Sequence, residues 1–260
     1  MREFFDRELA AVWGQHHAWV LLSLQDIKSK YRRSIIGPFW ITLTSVFFVV
    51  GLGLVYARLM SLDLKDYLPF LASGIFVWSF IVGLISEGSN AIIGSAHLIR
   101  QIRLPYMFHI CRVVLRNVLI FLHSAVVLLA LLAWYGLLTW QGVLGSLLGL
   151  VLCVFAITPL MVILAVACAR YRDILPMVNS ALQLLFFISP ILWRPGQADS
   201  LAVVVQYNIF AHFIAVVRDP LVGASVPWPA ALSVLAFGGV CWVVAVATLL
   251  RARDKIPYWL

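Results

Sequence analysis

The longest uncharged stretch of the chain limits its possible folds most strongly. No Asp, Glu, Lys or Arg occurs between Asn117 and Ala169. A helix needs about 20 mostly apolar residues to cross a bilayer, so this stretch is long enough for two crossings with a turn between them. Gly136 and Gly142 favour a turn near Trp140, because Gly interrupts helices and Trp prefers the headgroup level. The stretch therefore predicts a protein that crosses the membrane more than once.

Composition excludes the main alternatives to a membrane protein. Hydrophobic residues make up 63% of the chain and charged residues only 12%, whereas ordinary globular chains carry about 25% charged residues. This composition excludes a disordered chain. The net charge of +8 does not indicate a nucleic-acid-binding protein, because a basic balance on an apolar chain is typical of the cytoplasmic loops of membrane proteins.

Apolar runs along the whole chain predict an all-α, polytopic integral membrane protein with six transmembrane helices. The predicted spans cover residues 38–59, 68–93, 106–134, 142–168, 174–193 and 229–250. The apolar run at Ala202–Val217 is short and contains Gln206, Asn208 and His212. It favours a short re-entrant or interfacial helix pair between spans five and six over a seventh span.

The distribution of lysine and arginine predicts the orientation. With six spans, both termini share one side with the loops near 94–105 and 169–173, and this side carries fifteen Lys and Arg residues against four on the other. Basic loops stay preferentially in the cytoplasm. We therefore expect both termini to be cytoplasmic.

Residues 1–37 are predicted to form a cytoplasmic amphipathic interface segment, followed by a membrane domain at 38–260. Apolar side chains precede a basic group that ends at a Gly-Pro break. The basic residues are Lys28, Lys30, Arg32 and Arg33. This pattern predicts an interface helix that lies on the membrane surface and turns into the first span. A plain basic flank of that span is the alternative.

Motifs for self-powered transport are missing. The chain has four lysines, and none follows a glycine as the phosphate loop of ATP-binding proteins requires. Its six histidines show no metal-ligand spacing, and Glu87 is the one acid clearly inside a predicted span. We therefore expect no cofactor or metal in this chain, and an energy source outside it.

Four ordered motifs carry a resemblance to a known family. Asp26–Trp40 reads D-I-K-S-K-Y-R-R-S-I-I-G-P-F-W, Ala169–Ile174 reads A-R-Y-R-D-I, Ile188–Trp193 reads I-S-P-I-L-W, and Tyr207–Gly223 contains Y-N-I-F-A-H and R-D-P-L-V-G. Together they resemble the permeases of type-2 ABC exporters for cell-surface polysaccharide. The O-antigen (Wzm-like) permeases are the most similar group, and capsule (KpsM-like) and teichoic-acid (TagG-like) permeases are neighbours. Ile209 stands where the family usually has proline.

The resemblance implies a homodimer in the bacterial inner membrane that docks a separate ABC ATPase subunit, which binds ATP and Mg²⁺. The dimer would move an undecaprenyl-pyrophosphate-linked polysaccharide from the cytoplasmic to the outer face. A permease of a capsule, teichoic-acid or drug exporter of the same class is the alternative. A polyprenyl-phosphate transferase is a remote one, because it would need a cluster of acids for Mg²⁺, and Asp26 and Asp173 are isolated in the sequence.

Residues for coupling to the ATPase are predicted in two inner loops. Ser95–Pro105, the coupling segment, mixes apolar and basic side chains as a helix that docks in a groove does; an ordinary interfacial loop helix is the alternative. The loop after the fourth span supplies a second contact or a merely solvated turn. The predicted coupling residues are Leu98, Ile99, Arg100, Ile102, Arg103, Arg170, Arg172 and Asp173.

Three charged residues lie inside or near predicted spans. Arg112 and Arg116 are spaced i, i+4 and share one helix face at a depth similar to that of Glu87. An unpaired charge within a span costs about 2.5–3.5 kcal/mol. Two interpretations stay open: an ion pair of Glu87 with either arginine, or arginines that face the lipid pyrophosphate, since the planar guanidinium suits phosphate.

Aromatic side chains deeper in the predicted spans are candidates for a glycan path, although most of them are assigned to packing. They include Phe48, Trp78, Phe186 and Phe187.

Overall fold

The computed structural model describes Glu8 and residues 10–30, 32, 37, 39–102, 104–194 and 202–260. Arg33 and Arg103, which the sequence assigns to the interface helix and the coupling segment, lie outside the described residues. In the described part of the chain, every regular element is a helix. The all-α prediction is therefore confirmed for this part.

Thirteen helices are labelled here in chain order. They are α1 (Ala11–Gly14), α2 (His16–Lys30), α3 (Phe39–Leu59), α4 (Leu64–Ser89), α5 (Ala91–Gly94), α6 (Ala96–Gln101), α7 (Tyr106–Trp134), α8 (Trp140–Arg170), α9 (Ile174–Ile188), α10 (Ala202–Tyr207), α11 (Ile209–Leu221), α12 (Trp228–Ala252) and α13 (Ile256–Trp259).

Five of these helices are long and apolar enough to span a membrane. They are α3, α4, α7, α8 and α12, with mean hydropathy between 1.7 and 2.8 over their most apolar windows. The protein is thus a multi-pass membrane protein, as the sequence predicts. The second predicted span is shifted toward the N-terminus. Helix α4 covers Leu64–Ser89, and the helical structure is interrupted at Asn90 before α5 begins.

The fifth predicted span, 174–193, is shorter as a helix. At 15 residues, α9 is about 22 Å long, less than the roughly 30 Å of a bilayer core. Ser189 is extended (φ −83°, ψ 148°) because the proline at position 190 disfavours helical geometry in the residue before it. The chain nevertheless continues to Arg194, which donates to the backbone oxygen of Asp66 at the start of α4 (2.7 Å).

Helix α8 lies at the centre of the bundle and packs against α4, α11 and α12. Its first half carries Gly142, Gly145 and Gly149, where a Cβ would meet the backbone or side chains of α11 residues. Small residues at this spacing let two helix backbones approach closely. As a result, α11 runs antiparallel to the first half of α8, within the region predicted as a re-entrant or interfacial pair.

Both ends of the described chain lie at one end of the bundle, which we call the terminal end. There the Met107 N–H donates to the Glu8 carboxylate (3.1 Å), and the Tyr106 hydroxyl donates to the backbone oxygen of Arg253 (3.2 Å). The guanidinium of Arg170, from the last turn of α8, stands 5.5 Å from the ring centroid of Trp259. The N-terminal segment, the α8–α9 turn and α13 therefore share this end.

Candidate functional site

A cluster of ionic side chains near the terminal end joins three helices. This cluster, the clamp, consists of Asp26 and Lys30 from α2, Glu87 from α4, and Arg112, Arg116 and Asn117 from α7. Within α2 and within α7 the paired charges are four residues apart, so one face of each helix presents them to the same neighbour. The clamp therefore follows from helical spacing on two elements that the fold brings together.

Each carboxylate of the clamp contacts two basic groups. Asp26 accepts from Arg112 Nε (2.7 Å) and Arg116 Nη1 (2.8 Å). Glu87 Oε2 accepts from Arg116 Nη2 (2.9 Å), and Glu87 Oε1 lies 3.2 Å from Lys30 Nζ. Arg116 thus bridges the two acids. Because two carboxylates face three cations, the clamp retains one positive charge.

The ion pairs are partly shielded from water. Asp26, Arg112 and Arg116 expose only 17–21% of their side chains, so their attraction is stronger than that of a surface pair. The nearby Ser23 is fully buried, and its hydroxyl lies 3.0 Å from the backbone oxygen of Arg112. These contacts hold α2 along α7.

Of the two pairings considered for Glu87, the structure brings Glu87 and Arg116 together and places Arg112 with Asp26 instead. Sequence reasoning missed Asp26 as a partner. One signal could have identified it: Asp26 is the single acid between Glu8 and Asp63, and it lies in a strongly basic segment. A lone acid in such a segment is a candidate for a specific ion pair.

A polar cavity of about 260 Å³ lies between the clamp and the coupling segment. Besides clamp residues, Asn90, Ser95 and His109 line it. His109 is fully buried, and neither ring nitrogen has a hydrogen-bond partner among the described residues. The cavity is large enough for several water molecules, and it places polar space directly behind the coupling segment.

The coupling segment folds as the six-residue helix α6, and Ile102 after it is extended (φ −132°, ψ 130°). Ile99 packs against the core, and Leu98 is half-buried. Arg100 is exposed, as is 51% of Ile102. This short element therefore presents both an apolar and a basic side chain outward.

The remaining predicted residues lie on the surface of the terminal end. Lys28 and Arg32 are exposed, as are Arg172 and Asp173 after α8. Arg170 is also exposed, and its guanidinium stacks on aromatic rings rather than pairing with an acid of the clamp. The structure thus separates these residues from the clamp, except for Lys30.

The sequence motifs near residues 190 and 218 meet at the opposite end of the bundle. Arg218 is buried, and its Nη1 donates to the backbone oxygen of Pro190 (2.6 Å). Asn208 donates to the Ser189 hydroxyl (3.0 Å), and Tyr67 donates to the backbone oxygen of Leu192 (2.7 Å). The bonds from Arg218 and Tyr67 satisfy backbone oxygens that the break after α9 leaves without helical partners. The motifs are therefore joined in space.

An open cleft of about 570 Å³ runs between α3, α4 and α9. Aromatic and polar side chains line it together. They include Phe48, Trp78, Phe186, Phe187, Ser79, Asn179 and Gln183. Ser86 donates to the amide oxygen of Asn179 (2.7 Å), which orients that amide beside the cleft.

No three His, Cys, Asp or Glu side chains gather as metal ligands would in the described ranges.

Comparison with known families identifies the class. Residues 17–222 match the family model described as ABC-2 type transporter. This range includes the clamp, the coupling segment and both joined motifs. The chain belongs to the ABC-2 type transporter family. This membership implies an ABC ATPase partner and a transport subunit rather than an enzyme. The end of the ABC-2 chain, including α12 and α13, lies beyond the matched residues.

Several relatives of this ABC-2 transporter are O-antigen export permeases. An O-antigen export system permease protein RfbA of Klebsiella pneumoniae is 23% identical over 244 residues, which cover 92% of each chain. A protein of the same name from Myxococcus xanthus is 28% identical over 177 residues, or 67% of this chain and 68% of that one. The similarity thus extends along most of both chains.

Proposed function

We propose that the chain is the transmembrane permease subunit of an ATP-driven exporter for O-antigen-type polysaccharide linked to undecaprenyl pyrophosphate. The observation that carries the proposal is the similarity to O-antigen export permeases over 92% of both chains. The direction of transport is from the cytoplasmic to the outer face of the bacterial inner membrane.

The topology proposed for this function has six crossings. Five are the span-length helices, and the sixth combines α9 with Ser189–Arg194, which reaches Asp66 at the opposite end. Both termini are then cytoplasmic, which the fifteen-to-four distribution of basic residues supports. In this arrangement α10 and α11 form the re-entrant pair on the outer side, because α11 follows the outer half of α8.

ATP is assigned to the partner subunit. The chain lacks a phosphate loop, so the ATPase subunit binds ATP and Mg²⁺ and docks on the coupling segment, with Arg170, Arg172 and Asp173 as a second contact. Ile102 and Arg100 are exposed, and the ATPase subunit contacts the coupling segment through these two side chains. A homodimer of the permease then encloses the path for the glycan.

The clamp links docking of the ATPase subunit to movement of the permease helices. A displacement of α6 acts directly on α4 and α7, between which the coupling segment lies. Since Glu87 and Arg116 join these helices to Asp26 of the interface helix, the three helices move together. We assign the clamp to transmission of force and not to phosphate binding, because both arginines already contact carboxylates.

The cleft is the proposed surface for the polysaccharide. The exposed rings of Phe48 and Phe187 offer apolar faces for sugar rings, and Asn179 and Gln183 offer amides for hydroxyl groups. Such a mixture provides several weak contacts, which suit a chain that has to slide. A second copy of the permease would cover the open side of the cleft.

The coupling assignment is tested by the double substitution Leu98→Asp and Ile102→Asp. We propose Leu98 and Ile102 as the apolar contacts with the ATPase subunit. Burying an apolar side chain of this size contributes about 1.5–3 kcal/mol, so loss of both side chains is expected to abolish co-purification of the ATPase subunit and export. Membrane levels of the permease should not change, since α6 lies outside the span-length helices. Leu138→Asp, in an exposed loop at the opposite end, is the control. Retention of the ATPase subunit by the double variant would overturn the assignment.

A further inference from the structure

A groove of about 980 Å³ at the terminal end is bounded by segments far apart in the sequence. The coupling segment, with Ile99, Arg100 and Ile102, contributes one wall, and Asp254 and Tyr258 near α13 contribute another. The floor contains Glu8 of the N-terminal segment. The groove therefore joins the coupling segment to the C-terminal end of the chain.

Three buried polar atoms along this groove have no hydrogen-bond partner among the described residues. They are Glu8 Oε1, Gln15 Oε1 and Arg253 Nη1. Glu8 exposes only 1% of its surface, and Arg253 Nε lies 3.9 Å from its Oε1. Buried polar atoms are almost always paired in folded proteins, with protein groups or with ordered water, so three such atoms along one groove are sites that a polar partner can satisfy.

The unpaired atoms define what this partner must carry. Arg253 Nη1 needs an acceptor such as a carboxylate, whereas Glu8 Oε1 and Gln15 Oε1 need donors. Apolar Ile99, Ile102 and Leu104 lie beside them. Tyr258 lines the groove and is 89% exposed, and tyrosine is among the residue types that contribute most to binding once a partner buries them.

We propose that this groove is a second docking surface for the ATPase subunit, continuous with the coupling segment and formed by the C-terminal end of the permease. The inference rests on the proposed function, because it takes the ATPase subunit as the partner of the coupling segment. That subunit inserts a segment with an acidic side chain for Arg253, hydrogen-bond donors for Glu8 and Gln15, and an apolar contact for Tyr258. Ile99 and Arg100 of α6 line the groove, so a segment of the ATPase subunit that contacts α6 lies beside the groove. One partner therefore contacts both walls.

The first experiment compares Tyr258→Ala with Tyr207→Ala in the co-expressed complex of permease and ATPase subunit. Tyr207 is 81% exposed but lies in α10, away from the groove, so it controls for loss of an exposed tyrosine. We expect Tyr258→Ala to weaken retention of the ATPase subunit about tenfold and Tyr207→Ala to leave it unchanged. Equal retention by both variants would overturn the proposal. Failure of the wild-type permease to retain the ATPase subunit would overturn the proposed function itself.

The second experiment uses a thiol at the rim. The native Cys153, Cys168 and Cys241 are buried and Cys111 is partly buried, so labelling of the Tyr258→Cys variant is compared with that of the wild type, which reports any reaction at Cys111. We expect a polar maleimide to label this variant fast without the ATPase subunit and at least about tenfold more slowly in the complex. Equal labelling in both states, or protection already present without the ATPase subunit, would show that the ATPase subunit does not cover the groove.

Discussion

Asp26 accepts hydrogen bonds from two arginines of a helix that follows 86 to 90 residues later in the chain. One carboxylate thereby keeps Arg112 and Arg116 parallel on α7 and ties α2 to the bundle. Because these side chains are mostly shielded from water, removing the acid leaves two guanidinium groups with only Glu87 between them. Removing one partner of a shielded ion pair costs more free energy of folding than the intact pair contributes, because the other charge stays without a partner.

Asp26→Asn is therefore expected to destabilise the protein. Loss of one partner of a fully buried pair costs about 3–5 kcal/mol, and partial exposure of the clamp reduces this to about 2 kcal/mol. The apparent melting temperature in detergent should fall by about 5 °C. Asp66→Asn makes the same chemical change at an exposed position and should leave the melting temperature unchanged. Equal melting temperatures for the two variants would contradict the role of Asp26.

Glu8 is a second residue whose environment has a measurable consequence. Burial raises the pKa of its carboxyl above the usual 4.5, although the Met107 N–H and Arg253 act in the opposite direction. Tyr106 and Asp254 are the other ionisable groups nearby. The folded chain therefore binds this proton more tightly than the unfolded chain, and the resulting stabilisation is lost as pH rises from 4.5 through the raised pKa.

Glu8→Gln removes this titration and keeps an oxygen that accepts from Met107. We expect the melting temperature of the wild type to fall relative to that of Glu8→Gln as the pH rises above 4.5 through the raised pKa of Glu8. Every other ionisable side chain is the same in both proteins, so the comparison isolates the contribution of Glu8. A difference between the two proteins that does not change with pH would contradict the raised pKa.

Among the elements, α8 and α11 show how small residues position the outer part of the bundle. Gly145 is so close to α11 that a Cβ there would lie 3.0 Å from Pro220 Cβ, and at Gly149 it would collide with the backbone of Val216. The Cys153 thiol, one turn further along α8, donates to the backbone oxygen of Phe213 (3.4 Å). Side chains at these glycines would push α11 away and disturb the joined motifs at Pro190.

Gly149→Val is expected to destabilise the protein by about 1–3 kcal/mol, since overpacking a close helix contact costs this much, and to reduce export. Gly239→Val, on α12, places the same side chain where nothing lies within 4 Å. That control should melt within about 1 °C of the wild type. Thermal melting of both variants in detergent tests the contact, and an unchanged Gly149→Val would contradict it.

At the scale of the whole molecule, the sequence predicts the parts that depend on local composition. The charge-free run gives α7 and α8, and the family motifs identify the class of transporter. The pairing of Arg112 with Asp26 could not be predicted, because it depends on how α2 crosses α7. The end of α9 at Ile188 depends on the Ser-Pro step within an otherwise apolar run. The groove beside Tyr258 needs three distant segments in place, so no local pattern predicts it.

Export of the glycan is the central claim for the whole molecule. The most direct measurement uses a strain that lacks the gene for this chain and is complemented with the wild type or with an empty vector. Two quantities are measured: the O-antigen-type polysaccharide at the cell surface, and its lipid-linked form retained at the inner membrane. With the empty vector, we predict loss of surface polysaccharide and accumulation of the lipid-linked form inside, and the wild type should reverse both. Equal surface polysaccharide with and without the chain would contradict the account.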